Sequence, residues 1–513
     1  MNRMNRTNRA RPRRSPGPIA TLLALVVTSS ACGPGEDDAR PVAGAGSSTG
    51  RPEPASGPNI VLVLTDDQRA DAVGYAAAGG PMPFLSTPAI DRLAWNGVVF
   101  DNAFVTTSLC CPGRASILTG LYASVHAVRS NEHPLPAGVE LFPGRLRRHG
   151  YETAFVGKWH IGGDDSERPR PEFDYWVGLP GQGAYVDPEL NVAGRRLERS
   201  GYVTDILTEY ALEFIDRPRD RPFFLLLSHK APHPPVSPAP RHERLWEEAA
   251  VPLPLTVDEP LGDKPDWFEK AHNHDGFKHW LSPRPKLVEY IRDYARTLAA
   301  VDESLGRVIE RIDARGLTDE TVVLFTSDNG HFLGEHRLYS KMLMYEESIR
   351  VPLVVRHPAA EPARRLEIAL NVDLAPTILE IAGLDASQNP APARSLLPLV
   401  LGQQPVDWRR SFRYEYLNSR WGLPSLEGVW TESGWKYVRY PDWEQLFYLP
   451  DDPFERDNLA TRAEHTERRL ELIAELERLG GGGQLDPPSA YRPLGGKPSL
   501  GERLLWRWRK LTD

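Results

Sequence analysis

An α/β fold is what the sequence predicts: a large, mostly parallel central sheet flanked by helices, followed by short C-terminal strands and a helix. Three observations carry that prediction. Four apolar runs each break off abruptly into a polar cluster, helical patterns lie between those runs, and the pattern beyond residue 395 changes to short alternating segments. The 513 residues suffice for one large domain and a smaller one. Hydrophobic residues make up 41% and charged residues 25%, which excludes a disordered chain and a multi-span membrane protein. Three cysteines cannot build a disulfide framework, and two of them, Cys110 and Cys111, are adjacent, so cysteine is present for chemistry or anchoring. The 48 prolines are nearly double the usual share of about 5%, a sign of rigid loops. Only ten of the 61 basic residues are lysine, so a lysine inside a motif departs from the chain's habit.

The first segment reads as an address. Residues 1–31 hold six arginines and no acid, then the apolar run 19–27 and the small residues Thr28-Ser29-Ser30-Ala31, the layout of a signal peptide too short to span a bilayer. With those six charges taken from a net −8, the remainder carries −14, which argues against nucleic acid as a partner. Cys32 directly follows the small residues and resembles the acylated cysteine of a bacterial lipoprotein, with Ser29 where leucine is usual. Arg13-Arg14 leaves both the general and the twin-arginine export routes open. Residues 32–57, rich in Gly, Pro, Ala and Ser, read as a flexible tether. The organisation expected beyond it is a catalytic α/β domain over 58–395, a small α+β subdomain over 396–480 and a tail over 481–513.

Strands are expected at 60–64, 153–156, 223–227 and 322–325, each a continuous apolar run suited to burial on both faces of a parallel sheet. They lead into Thr65-Asp66-Asp67-Gln68, Gly157-Lys158-Trp159-His160, Ser228-His229-Lys230-Ala231-Pro232-His233 and Thr326-Ser327-Asp328-Asn329-Gly330. Helices are expected at 203–217 and 287–315. Ligands in such sheets bind beyond the carboxyl ends of the strands, so the four clusters should converge on one pocket. Asp66, Asp67, Asp328 and Asn329 all offer oxygen donors, the preference of Ca²⁺ or Mg²⁺ rather than zinc. Carboxylates crowded together without a cation would repel.

Cys110 stands just before a predicted helix, in Ser108-Leu109-Cys110-Cys111-Pro112-Gly113-Arg114-Ala115-Ser116-Ile117-Leu118-Thr119-Gly120. Orphan amides, the helix dipole and Arg114 would stabilise an anion there. A thiolate nucleophile of depressed pKa, an oxyanion site and an inert buried cysteine all remain open on these grounds.

Cys110-x-Pro112-x-Arg114 with the tail Ala115 to Gly120 resembles the signature of the type I sulfatases, in which the first cysteine is oxidised to formylglycine. The resemblance extends to the four strand-end clusters, to Gly334-Glu335-His336 and to Lys341, and runs from about residue 58 to 459. The paired cysteines and Thr106-Thr107-Ser108-Leu109 are most similar to the branch containing N-acetylglucosamine-6-sulfatases, where serine is commoner at the position of Gly113. This resemblance implies an alkaline-phosphatase-like fold, a large mixed, mostly parallel central sheet flanked by helices with a small C-terminal antiparallel sheet plus helix, and hydrolysis of sulfate esters, notably of sulfated carbohydrates. It implies that Asp66, Asp67, Asp328, Asn329 and the modified Cys110 hold calcium, with magnesium the alternative. Lys158, His229, His233 and Lys341 would contact sulfate, with His229 secondary. Arg114 would orient the formylglycine hydrate, and Asp328 would take the proton of its attacking hydroxyl. His233 or Lys341 would protonate the leaving alcohol, and His160 would deprotonate the second hydroxyl. Lys158 and Lys341 gain independent weight from the scarcity of lysine, since a compact ammonium suits a small anion. His336 is expected to be structural.

The implied partners are a sulfated small molecule or glycan and a formylglycine-generating enzyme, in a periplasmic or extracellular location with anchoring through Cys32. Two other readings stay open: a phosphonate monoester or phosphodiester hydrolase of the same superfamily, and a non-catalytic lipoprotein that grips sulfated glycans. Substrate choice is expected to lie in loops 163–199 and 236–280. The ring-bearing residues of the second loop, Trp246, Trp267, Phe268, His272, His274, Phe277 and Trp280, suit either sugar stacking or a local core. Further on, a helix is expected over 373–384, a boundary over 389–394, and strands at 411–416, 426–431, 435–440 and 445–449. A closing helix over 464–479 and an aromatic, basic patch over 504–510 complete the reading.

Overall fold

The four apolar runs stand side by side. In the computed structural model, which describes residues 57–162, 168–386 and 392–490, they form the strands Thr321–Ser327, Asn59–Thr65, Phe223–Ser228 and Glu152–Lys158, adjacent in that order and all parallel. Tyr175–Leu179 continues the parallel set. The antiparallel strands Glu189–Val192 and Arg195–Glu198 finish one edge, and Leu353–Arg356, Val98–Phe100 and Ala363–Arg365 finish the other, giving ten strands in all. The proposed signal peptide, Cys32, all but the last residue of the tether and the patch over 504–510 lie outside the described residues, as do 163–167 and 387–391.

Alternation along each run fills both faces. Ile60, Leu62, Phe224, Leu226, Val322 and Leu324 point to one side, with the helices Cys110–Thr119, Phe142–Arg148 and Leu374–Ile381. Val61, Val63, Leu225, Leu227, Val323 and Phe325 point to the other, under the helices Val203–Asp216 and Arg284–Ala314. Each such side chain removed from water contributes roughly 1.5–3 kcal/mol, which is why the runs carry no polar residue until they leave the sheet.

A four-stranded antiparallel sheet, Ser411–Tyr416, Leu426–Thr431, Trp435–Arg439 and Glu444–Tyr448, follows with the helix Thr466–Arg478 on one face. Its other face joins the core of the large sheet, where Phe104 packs 4.9 Å from Phe412 and 4.8 Å from Trp430 between ring centres.

Loop 163–199 contains three strands that the sequence pattern did not announce. In the second proposed specificity loop, Trp267, Phe268 and Phe277 are buried, and Trp267 packs on Tyr440 and Trp443. Trp280 lies against Tyr339, and Trp246 against Phe84. These aromatics are a local core.

Candidate active site

The strand register brings the clusters to one edge. Thr65 lies opposite Ser327, and Ser228 lies opposite Leu64 and Gly157, so the chains leave the sheet at nearly one level. Gly157 has φ +126°, and a Cβ there would fall 1.8 Å from the Ser228 carbonyl oxygen, so only glycine lets these strands close so tightly. Asp67 and His160 both adopt left-handed backbone (φ 69° and 51°), a strain that turns their side chains sharply off the strand ends.

Cys110 opens the helix Cys110–Thr119 and is fully buried. Its Sγ lies 3.4 Å from Asp66 Oδ1 and accepts from Lys341 Nζ at 2.9 Å. Lys341 also pairs with Asp67, and Lys158 with Asp66. Arg114, one turn along the helix, donates from Nε to Asp328 Oδ2 at 2.8 Å, and its Nη2 is 3.3 Å from Asp66 Oδ2. Its Nη1 donates to the Lys158 carbonyl and to Ser228 Oγ, at 2.5 and 2.7 Å, which ties the helix to two strand ends. The Asp67 amide donates to Asp328 Oδ1 at 3.1 Å, and Asn329 Nδ2 donates to Asp67 Oδ1 at 2.5 Å.

Burial alone would raise the Asp66 carboxyl, but Lys158 and Arg114 hold it well below the usual range. Asp67 is lowered likewise against burial, chiefly by Lys341. Asp328, buried beside Asp66, is pushed up to about 7. Lys341 stays protonated far above its ordinary value, because Asp67 together with Asp66 and Asp328 outweighs burial. Burial, then Lys158, pushes His160 and His233 well down, so both are neutral. Cys110 is pushed far up by burial and Asp66. The depressed-pKa thiolate is thereby corrected: the low-dielectric pocket and the neighbouring carboxylate outweigh the helix dipole, and the unmodified side chain is a thiol.

Oxygen and sulfur atoms of Asp66, Asp67 and Cys110, with a His233 nitrogen, lie within 4.8 Å of one another. Asn329 Oδ1 is buried with no hydrogen-bond donor among the described residues, and its amide nitrogen is already committed. An orphaned carbonyl beside three carboxylates fits a hard divalent cation.

Of the fourteen histidines, His229 and His233 are the two expected to contact sulfate from one loop. His233 reaches the site, with Nε2 3.8 Å from Asp67 Oδ2. His229 does not. Its amide donates to the Leu64 carbonyl at 2.8 Å, continuing the strand pairing, and its ring turns under the sheet to Ser304 Oγ at 3.1 Å. His336 is structural, bound to Glu259 at 3.1 Å and stacked on Tyr345. His331 lies 3.5 Å from Asp67 and 2.8 Å from the Tyr290 hydroxyl.

Gln182 was missed. It lies three residues beyond Tyr175–Leu179, between Gly181 and Gly183, both at positive φ. Its side chain joins Lys158 and His160, accepting from Lys158 Nζ at 2.6 Å and standing 3.0 Å from His160 Nε2. The flanking glycines were the available signal for a tight, functional turn.

The family model "Sulfatase" matches residues 58–384, and the model for the N-sulphoglucosamine sulphohydrolase C-terminal region matches 334–481. The chain belongs to the sulfatase family. This sulfatase is 31% identical over 489 residues to the N-acetylglucosamine-6-O-sulfatase of Bacteroides thetaiotaomicron, spanning 82% of this chain and 86% of that one. It is 32% identical over 393 residues to human N-acetylglucosamine-6-sulfatase, spanning 70% and 67%. Among solved structures it superposes with a TM-score of 0.76 and 28% identity on a protein in complex with its substrate D-glucosamine-2-N,6-O-disulfate, covering 82% of this chain and 97% of the other. The phosphonate monoester hydrolase of Agrobacterium radiobacter shares the fold, at TM-score 0.68 and 22% identity, covering 82% and 95%. The sulfatase is thus a sulfuric ester hydrolase on an alkaline-phosphatase-like scaffold.

Proposed function

We propose that this sulfatase removes sulfate from sulfated carbohydrates, with 6-O-sulfated glucosamine as the preferred class, using formylglycine at Cys110 and a bound calcium ion. The observation that carries the reading is Cys110 Sγ set between Asp66 Oδ1 and Lys341 Nζ, where an oxygen on the same carbon would have both an anionic and a cationic neighbour. The names of its relatives supply the sugar. Asp66, Asp67, Asp328 and Asn329 would hold the cation, joined by the oxygen at Cys110, with magnesium as a substitute and His233 close by. When bound, the cation neutralises sulfate oxygens and makes sulfur more electrophilic. Formylglycine would supply, as its hydrate, a nucleophilic hydroxyl and a second one whose deprotonation would expel the sulfate and restore the aldehyde.

The chain's own groups do the rest. Arg114 fixes the carboxylates of Asp66 and Asp328 and offsets their charge. Asp328 would take the proton of the attacking hydroxyl. Lys158 and Lys341 face the sulfate oxygens as compact ammonium ions. Lys341, 2.9 Å from the Cys110 position, or His233 would give the departing alcohol its proton.

The proposal extends to the whole chain: residues 1–31 direct export to the periplasm or beyond, Cys32 anchors the protein to a membrane, and a formylglycine-generating enzyme converts Cys110.

Sulfate release from glucosamine 6-sulfate, assayed beside an aryl phosphodiester, tests the reading, together with the mass of the tryptic peptide 93–114 from the native host. An aldehyde or its hydrate at Cys110 is expected. Cys110→Ala should lose at least about 10³-fold in turnover, the scale of a lost nucleophile. Faster phosphodiester cleavage would move the protein to the phosphonate and phosphodiester hydrolases, and undiminished turnover in Cys110→Ala would end the mechanism.

A further inference from the structure

Four lysines are buried among the described residues, and three of them are matched by carboxylates. Lys158 pairs with Asp66, Lys341 with Asp67, and Lys436 with Glu346 and Glu455. Lys230 is the fourth. It is 2% exposed, and among the described residues its ammonium makes no hydrogen bond and no ion pair. A buried ammonium brings a charge and three donors, and leaving both unanswered is costly, so such a group calls for an anion that the chain itself does not supply.

The surroundings of Lys230 say which anion. It follows His229 at the strand end, and the chain beyond it is fastened to the site: the Ala231 carbonyl accepts from the Asp66 amide at 3.2 Å, and the Lys230 carbonyl accepts from the His233 amide at 3.0 Å. The ammonium stands 4.8 Å from the centre of the Tyr185 ring, a cation on a π face. The hydroxyl of the same tyrosine donates to the His233 carbonyl at 2.8 Å. One buried side chain thus holds Lys230 and the backbone of His233 together. The groups close enough for their charge to act on Lys230 are Lys158, Asp66, Asp67 and Cys110, all members of the strand-end cluster. Lys158 repels it, and an anion shared between the two ammonium ions relieves that repulsion.

We propose that Lys230 is a further substrate-binding residue: its ammonium, seated on Tyr185, donates to an oxygen of the ester sulfate beside Lys158. Its burial places it with the enclosed anionic end of a substrate rather than with the sugar at the mouth. A contact to a non-bridging sulfate oxygen is present before, during and after the ester bond breaks, so Lys230 contributes affinity more than rate. The proposal rests on the sulfate-ester reading for the identity of the anion, whereas the anion site itself is observable without turnover.

The probe is inorganic sulfate, titrated calorimetrically into the full, calcium-loaded protein. Lys230→Met keeps the length of the side chain and removes its charge and donors, and it should weaken sulfate binding by roughly tenfold or more, the scale of a lost charged hydrogen bond. With glucosamine 6-sulfate, KM should rise by a similar factor while kcat stays within about threefold. The urea midpoint of Lys230→Met should hold or rise, because a buried ammonium without a counter-ion does not stabilise the empty fold. A lysine that merely braces Tyr185 gives the opposite pattern, a lower midpoint with unchanged sulfate affinity and KM, and that result would overturn the proposal. The wild type offers a check free of substitution. Acetylation of Lys230 by acetic anhydride, read as the tryptic peptide 220–241 left uncut after Lys230, should be slowed by sulfate and not by chloride at equal ionic strength. Equal labelling in both salts would also overturn it. Failure of the sulfatase reading alone would show as a wild type that releases no sulfate from the ester while sulfate still protects Lys230.

Discussion

Gly113 shows how one missing methyl group can be part of a catalytic site. It lies inside the first turn of the helix that carries Cys110, and a Cβ there would fall 2.7 Å from the carbonyl oxygen of Asp328. The helix can approach the strand end at Asp328 so closely only because nothing projects from this position. Gly113→Ala should therefore destabilise the protein by roughly 1–3 kcal/mol, the cost of overpacking, in spite of alanine's higher helix propensity. It should also lower kcat, because Asp328 is displaced relative to Arg114. Urea unfolding and steady-state kinetics check both, and an unchanged unfolding midpoint would mean the two elements have slack. Residues whose type implies their chemistry, such as the three aspartates, Cys110 and Lys341, were legible in sequence because each is anomalous where it stands. His229 and His233 were not separable that way. They are the same residue type four positions apart, and only the continued pairing of His229 with Leu64 sends one ring beneath the sheet while the other reaches Asp67.

Elements were legible in proportion to their burial. The four central strands are apolar on both faces and fall where the runs predict them, whereas Arg195–Glu198 is a charged, exposed edge strand with no periodic signature. One interhelical contact permits a test at this scale. The helix Pro88–Trp95 has no side-chain cap of its own. Asp302, from the long helix Arg284–Ala314, supplies one by accepting from the Ala89 and Ile90 amides at 3.0 and 2.8 Å. Burial nevertheless raises its carboxyl from 3.8 to about 6, because desolvation outweighs those two bonds. The folded state thus holds this proton more tightly than the unfolded one. The resulting stability is complete below about pH 4 and is lost as pH rises through 6. Asp302→Asn keeps an accepting oxygen and has no charge to bury. The stability of the wild type relative to Asp302→Asn should fall by at most about 3 kcal/mol between pH 4 and 7. Urea unfolding across that range measures it, and parallel pH profiles for the two proteins would show that the carboxyl is solvated.

For the molecule as a whole, the question is what the C-terminal sheet contributes to a pocket built by the large one. Its strands were legible from their alternation, with Ser411–Tyr416 and Leu426–Thr431 falling where expected, but alternation cannot say what the buried face touches. The answer centres on Tyr414. Its hydroxyl accepts from the Ser108 amide at 3.1 Å and donates to the Met342 carbonyl at 2.6 Å. Ser108 lies two residues before Cys110, and Met342 directly follows Lys341. One fully buried oxygen thus clamps both segments whose side chains meet at the Cys110 sulfur. The Glu415 amide adds a bond to the Thr106 carbonyl at 3.0 Å, so the strand holds this lead-in at two points. Tyr414→Phe removes the oxygen and leaves a buried N–H and a buried C=O unpaired, at roughly 1–3 kcal/mol each. The expected outcome is a loss of roughly 2–4 kcal/mol in urea unfolding together with a lower kcat, since Cys110 and Lys341 no longer share a fixed spacing. If stability falls and kcat holds, the C-terminal sheet merely closes the core. If both fall, it is a structural part of the catalytic site, and a fragment ending near residue 395 would fold poorly and turn over slowly even with every strand-end ligand in place.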